Sequence, residues 1–240
     1  MSEISSNLKL IEDAITRNDV ETVSSLLETI KKETKGENLP ALKKTISNLA
    51  YKSMVYGSYP VFEFFLKQDK KILTTPMNGN GNCLLQNVAT IGTFDAFKKS
   101  LEYYEQEKID LASLFNARGS NIIHTIVSIG VSPKDLPAAA DDARNRINQM
   151  LTMIFSVDPS AFFRMCEQEN QALKKPFHIC KEESTYSHII SIAKKNSKNP
   201  KMGAALLNEV KRFADLQDAI RNKMLQPTYG ASLQNQVKVK

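Results

Sequence analysis

The side chains best suited to nucleophilic chemistry in this chain are its three cysteines and three histidines. They are Cys83, Cys166, Cys180, His124, His178 and His188. A cysteine nucleophile needs a nearby base or positive field to lose its proton, so a Cys-His pair would indicate an enzyme. The cysteines are too scattered for a disulfide scaffold, and none has the close Cys or His spacing of a zinc site. An enzyme site around His124, Cys180 or residues 131–143 stays open as a hypothesis.

Two other features invite chemistry, and both have structural explanations. The glycine-rich residues 78–82 are followed by no Lys-Ser or Lys-Thr pair and preceded by no apolar strand, so a phosphate-binding loop is not indicated. A tight turn explains them, since Gly and Asn supply positive φ. The adjacent carboxylates Asp141 and Asp142 would diverge on a helix, as would Glu182 and Glu183. The sequence predicts no cofactor and no metal site.

Composition predicts a soluble, folded protein. With 42% hydrophobic and 24% charged residues, the 240-residue chain has enough apolar material for a core. No apolar run approaches the roughly 18 to 20 residues of a membrane helix. The N-terminus lacks the layout of a signal peptide. We therefore expect a cytoplasmic protein, and the three cysteines fit a reducing compartment.

The positive charge belongs to the C-terminal part of the chain. Residues 171–240 hold 13 Lys and Arg against 5 Asp and Glu, a net of +8, which leaves −2 for residues 1–170 of the total +6. The densest basic segment, residues 194–201, has no interleaved aromatic residues that could stack on bases. A solvated surface is the simplest interpretation. Binding of nucleic acid, another acidic polymer or an anionic membrane remains an alternative, and salt would weaken it.

Apolar residues three and four positions apart predict helices along most of the chain, and no long segment alternates as a strand would. The fold class expected is therefore all-α. Polar and glycine dipeptides divide the helices into pairs. The predicted breaks within pairs are Asn18-Asp19, Gly57-Ser58, Gly92-Thr93, Gly130-Val131 and Ser184-Thr185, spaced 39, 35, 38 and 54 residues apart. Repeating helix pairs of this size build solenoids.

The units of this array resemble ankyrin repeats, whose first helix opens with Thr-Pro-Leu-His and runs to a Gly, and whose second helix ends in Leu-Leu. Residues 176–180, Pro-Phe-His-Ile-Cys, are nearest to that signature. Residues 122–124, Ile-Ile-His, keep the histidine, and residues 84–86, Leu-Leu-Gln, keep the leucine with flanking glycines. The resemblance covers about residues 5–195. It implies an ankyrin-like solenoid of about five units, in which His124 and His178 bridge neighbouring turns.

Two segments fall outside the repeat pattern. Residues 131–143 contain two prolines, and we expect a loop inserted there between the two helices of the fourth unit, before a helix that starts near Ala143. Residues 200–226 have mostly helical spacing and are expected to form a C-terminal capping helix. Residues 227–240 are expected to form a flexible tail.

The resemblance also implies where a partner protein would dock, namely on the concave side made by the turn tips and the exposed face of the first helices. Arg118 is the expected anchor, with Ile91 and Ile129 as exposed apolar contacts. The implied contact positions are Asn80, Asn82, Thr90 and Ile91 in the third unit, Arg118, Ser120, Ser128 and Ile129 in the fourth, and Lys174 and Glu182 in the fifth.

We therefore expect a monomeric, non-enzymatic protein-interaction module without a cofactor. Richness in Lys, Asn, Ile and Ser is compatible with an AT-rich genome. By analogy, drifted repeats with a polar tail suit a bacterial ankyrin-repeat effector that acts in the host cytosol. The alternatives are an enzyme site grafted onto the solenoid, and a partner surface on the inserted loop or the basic region.

Overall fold

A computed structural model describes residues 3–34, 39–130, 137–180 and 183–195, together with positions 204, 206–208, 211–212 and 215. Its helices are α1 (Glu3–Thr16), α2 (Val20–Glu33), α3 (Leu39–Val55), α4 (Tyr59–Gln68), α5 (Leu84–Ile91), α6 (Phe94–Gln106), α7 (Ile122–Val127), α8 (Pro137–Val157), α9 (Pro159–Glu167) and α10 (Glu183–Lys195). Short 3-10 segments occupy Lys70–Leu73, Leu111–Ser113 and Pro176–Ile179. These residues contain no β-strand, which confirms the all-α prediction.

The helices pack in neighbouring pairs, α1 with α2, α3 with α4 and α5 with α6. Local capping sets where these second helices begin. The Asp19 carboxylate accepts a hydrogen bond from the Thr22 amide at 3.0 Å, and the Thr93 hydroxyl accepts one from the Ala96 amide at 3.1 Å. Gly57 turns the chain before α4 with a φ of 74°. The first three predicted breaks are thereby confirmed.

One apolar core runs through the helix pairs, and its largest buried side chains include phenylalanines from α4, α6 and α9. Phe62 and Phe65 on α4, Phe97 on α6 and Phe162 on α9 are fully buried. The Phe62 ring lies 5.1 Å from the ring of Tyr103, which joins consecutive units. Removing each such side chain from water is worth about 1.5 to 3 kcal/mol. Each unit therefore depends on its neighbours to cover its apolar face.

The fourth unit departs from prediction, because its second helix, α8, begins at Pro137 and not near Ala143. Proline is favoured at the first helical position, and three alanines follow it, so the supposed loop signal starts a helix. Arg146 on α8 donates to the carbonyls of Ala89 and Gly92, at 3.0 and 2.5 Å, and so attaches α8 to the end of α5. Residues 131–136 of the predicted inserted loop lie outside the described residues.

The fifth unit also departs from prediction, because Ser184 and Thr185 lie inside α10 and do not separate two helices. Thr185 is buried, and it stands on the same face as Ile189 and Ile192, one and two turns further on. The first helix of this unit is reduced to the 3-10 segment Pro176–Ile179.

The C-terminal predictions are only partly covered by the structure. Within residues 200–226, the described positions 204, 206–208, 211–212 and 215 are all helical, and Leu206 is buried in the core. The tail predicted at residues 227–240 lies outside the described residues, as does most of the basic segment 194–201. Within the described part of the chain, the helices are too short or too polar to cross a lipid bilayer.

Candidate partner-binding groove

Three turns of the same construction precede α5, α7 and the 3-10 segment Pro176–Ile179. Each begins with an asparagine whose side-chain oxygen accepts hydrogen bonds from two backbone amides of its own turn, as short polar side chains do in turns. Asn78 accepts from residues 80 and 82, Asn116 from residues 118 and 120, and Asn170 from residues 172 and 174, at 2.9 to 3.2 Å. We name residues 78–82, 116–120 and 170–174 the turn stack.

Backbone hydrogen bonds join the three turns to one another. The Ala117 amide donates to the Asn80 carbonyl at 2.9 Å, and the Gln171 amide donates to the Arg118 carbonyl at 2.9 Å. The Asn116 side chain adds a bond to the Asn82 side chain at 3.0 Å. Because equivalent atoms pair from turn to turn, the tips stand in a fixed register.

The fourth residue of each turn has a left-handed backbone, with φ of 71° at Gly81, 69° at Gly119 and 56° at Leu173. A Cβ on Gly81 would lie 2.7 Å from the Ala117 nitrogen, and one on Gly119 would lie 3.2 Å from the Gln171 nitrogen. Glycine is thus required where the next turn stacks closely. Leu173 is 75% exposed, so the last described turn has room for a side chain at this position.

Below the tips, Gln86 and His124 each bridge to the following turn. Gln86 accepts a hydrogen bond from the Cys83 amide at 3.1 Å and donates to the Ser120 carbonyl at 2.8 Å. His124 occupies the equivalent place: its Nδ1 accepts from the Asn121 amide at 3.4 Å, and its Nε2 lies 2.9 Å from the Lys174 carbonyl. A carbonyl only accepts, so Nε2 carries the proton.

The environment of His124 favours the neutral ring that this geometry requires. Burial lowers the pKa of His124, and the hydrogen bond to the Lys174 carbonyl opposes that shift in part. Burial also raises the pKa of the Cys83 and Cys166 thiols, which favours their protonated forms. Both nitrogens of His124 are therefore engaged in structure, and these two thiols are poorly suited to act as thiolate nucleophiles.

A polar groove of about 300 Å³ lies along the turn stack and the adjoining ends of α5 and α7. It brings together six of the ten predicted contact residues: Asn80, Asn82, Thr90, Arg118, Ser120 and Ser128. Side chains that sequence reasoning did not assign to this surface complete the lining: Asn116, His124, Thr125, Asn170 and Ile179. The asparagines at positions 78, 116 and 170 were the available signal, because each opens a turn of the repeat.

The other four predicted contact residues are placed differently. Ile91 is 68% exposed but does not line the groove. The expectation that Ile129 is an exposed contact is wrong, because it is half-buried and packs against the core. Lys174 is exposed at the end of the third turn, and its backbone carbonyl accepts the hydrogen bond from His124. Glu182 lies outside the described residues.

Arg118 combines a fixed backbone with an available side chain. Its amide donates to Asn116 and its carbonyl accepts from Gln171, so both sides of its peptide are held. Its exposed guanidinium makes no hydrogen bond or ion pair with any described residue. The guanidinium carries five N–H donors, and the Arg118 backbone is held in place by the turns. This group can therefore bind a carboxylate in bidentate fashion.

The chain matches no protein-family model, no curated protein and no solved structure. Among the residues that the structure describes, no group of three His, Cys, Asp or Glu side chains is placed to hold a metal ion. Interpretation of the groove therefore depends on its own geometry.

Proposed function

We propose that this chain is an ankyrin-like repeat protein of about five units, which binds a partner protein through the polar groove and catalyses no reaction. The proposal is supported by the regular turn stack and by the bridges from Gln86 and His124, which have the structural role that the resemblance implies for the imidazole. The observation that carries the binding role is Arg118, whose backbone is held between two turns at the groove and whose exposed guanidinium has no partner among the described residues.

The chemistry around the groove suits a protein segment. Asn80, Thr90, Ser120 and Ser128 supply amide and hydroxyl groups that can bond to a peptide backbone. Exposed Ile91 lies next to Thr90 on α5, and exposed Leu173 lies in the same turn as Asn170. A polar centre with one arginine and exposed apolar neighbours is typical of protein interfaces.

The charge of Arg118 specifies one property of the partner. A carboxylate opposite the guanidinium would form a charge-assisted, bidentate pair, which is stronger than a neutral hydrogen bond. We therefore expect an Asp or Glu within the segment that occupies the groove. Lysine in place of Arg118 would restore the charge but not the planar, two-pronged geometry.

Affinity capture from eukaryotic cytosol, followed by mass spectrometry, tests the proposal. The baits are the wild type, Arg118→Glu combined with Ile91→Glu, and Lys98→Glu as a matched control. Lys98 is exposed on α6 and forms no ion pair within the described part of the chain. We expect a protein that the wild type and the control capture and the double variant loses, with about 30-fold or greater loss of affinity for the purified partner. Equal capture by all three baits would contradict the role of the groove.

A further inference from the structure

A second cleft, larger than the polar groove and of different chemistry, lies between α3, the end of α2 and the segment that follows α4. Its volume is about 770 Å³. We name it the basic cleft. Its lining consists of Lys31, Pro40, Leu42, Lys43, Lys44, Ile46, Ser47, Gln68, Asp69, Lys71, Ile72, Thr75 and Pro76.

The length of α3 explains why a cleft forms at this place. Both α3 and α5 end just before a glycine, at Gly57 and Gly92, but α3 has 17 residues and α5 has 8. The extra residues of α3 therefore lie at its start, where the later units have a turn of the turn stack. The start of α3 lies opposite residues 68–76. A cleft remains between this part of the helix and that segment, and side chains from both line it.

The floor of the basic cleft is apolar. Leu42 and Ile72 are buried members of the core, and Ile46 packs against the core while remaining partly exposed. Pro40 and Pro76 add two further apolar surfaces. A ligand in the cleft would therefore contact the hydrophobic core directly.

The rim of the basic cleft is positively charged. Lys43, Lys44 and Lys71 are exposed, and their ammonium groups make no ion pair with any residue that the structure describes. Lys31 is bound to Glu28 at 3.1 Å and to the Gln68 side chain at 2.6 Å. Asp69, the carboxylate in the lining, already accepts a hydrogen bond from the Lys71 amide.

We propose that the basic cleft binds a small soluble amphiphile with an apolar body and one anionic head group, such as a medium-chain carboxylate. Its volume falls within the range of about 300 to 1,000 Å³ that is typical of small-molecule sites. The apolar body would cover Leu42, Ile46 and Ile72, and the head group would lie between Lys43 and Lys71. This site is separate from the polar groove and does not depend on the function proposed for it.

Calorimetric titration of the full chain with decanoate, below its micelle concentration, tests this proposal. We expect saturable 1:1 binding, and weaker binding of uncharged decan-1-ol. Lys43→Glu combined with Lys71→Glu should reduce the affinity for decanoate at least about tenfold, since two attractive charges become repulsive. The Lys98→Glu control should bind as the wild type does. Both changes lie on exposed side chains, and thermal melts of the variants verify folding.

Isoleucine-methyl NMR locates the ligand independently of the variants. Decanoate should shift the methyl signals of Ile46 and Ile72 and leave that of exposed Ile91 unchanged. Absence of saturable binding, equal affinity of the double variant, or shifts confined to residues outside the cleft would each overturn the proposal. Binding to anionic phosphatidylglycerol vesicles without binding of free decanoate would overturn it too.

Discussion

Two regions of this chain join their helix pairs in different ways. Between α1 and α4, the pairs are joined by apolar packing with isolated polar contacts, such as the Ser58 hydroxyl donating to the Ile15 carbonyl at 2.5 Å and the ion pair of Lys52 with Glu12. In the turn stack, equivalent backbone atoms pair from turn to turn, and Gln86 and His124 repeat the same bridge.

The two modes of joining leave surfaces of opposite chemistry. Stacked turns need polar side chains at their tips, and the donors and acceptors not used in stacking line the polar groove. Where α3 replaces a turn, its apolar face reaches the surface and lines the basic cleft. The way in which the helix pairs are joined therefore determines whether a region presents a polar or an apolar and basic surface.

The largest effect is expected from closing the space between stacked turns with Gly81→Ala. The new Cβ would lie 2.7 Å from the Ala117 backbone nitrogen, on a left-handed backbone. Conformational cost and overpacking together should reduce the free energy of unfolding by about 2 to 4 kcal/mol, measured by urea denaturation.

Two matched variants separate these contributions. Gly57 also has a positive φ, but a Cβ added there would have nothing within 4 Å, so Gly57→Ala should cost only about 1 kcal/mol. Gly79 has free space and no positive φ, so Gly79→Ala should be nearly neutral. Equal losses for Gly81→Ala and Gly57→Ala would show that the turns do not stack closely.

The next effect concerns the bridge at His124. His124→Ala leaves the Lys174 carbonyl and the Asn121 amide without this partner and should cost about 1 to 3 kcal/mol. His124→Gln should cost well under 1 kcal/mol, because Gln86 already makes the same two contacts in the preceding unit. Chemical denaturation of both variants measures the difference, and similar losses would contradict the equivalence of the two bridges.

A smaller effect is expected on the pH dependence of stability. Burial places the folded-state pKa of His124 below its ordinary value of 6.5. Between those two pKa values the unfolded chain binds a proton that the folded chain does not, so stability falls as the pH decreases below 6.5. His124→Gln should remove this component while His188, whose pKa burial also lowers, remains. Unfolding at pH 7.5 and 5.0 measures it, and the same pH dependence in both proteins would contradict the assignment.

The smallest effect has the opposite sign. Leu173 adopts a φ of 56°, whereas the equivalent positions in the other two turns, Gly81 and Gly119, are glycines. Leu173→Gly should therefore raise the free energy of unfolding by up to about 1 kcal/mol. If the exposed leucine contacts the partner, the same change weakens partner binding. Thermal melts and titration with the captured partner measure the two effects. A stabilised variant that binds as well as the wild type would exclude Leu173 from the interface.

Local signals account for the parts of the structure that the sequence could predict. Apolar spacing indicated the helices, and capping residues such as Asp19 and Thr93 marked the breaks between them. Six of the predicted contact residues line the groove, because the turns that carry them stack on one another. Residue types that are compatible with two structures led to a wrong prediction. Proline occurs both in loops and in the first turn of a helix, and Pro137 starts α8 where a loop was predicted.

Features that depend on distant residues were missed for a different reason. The partial burial of Ile129 depends on its packing against the core, which its position in the sequence does not reveal. The basic cleft combines lysines from α2, α3 and residues 68–76, which lie up to 40 positions apart in the sequence. These lysines come together at the rim of the basic cleft only when the chain is folded.

Amide hydrogen exchange by NMR tests the turn stack, on which the proposed groove depends, most directly. Gly79, Ala117 and Gln171 occupy the same position in the three turns, but only the amides of Ala117 and Gln171 have a carbonyl of the preceding turn as acceptor within the described structure. We predict that these two amides exchange at least about tenfold more slowly than the Gly79 amide, after correction for intrinsic rates. Exchange of all three at their intrinsic rates would contradict a stacked platform.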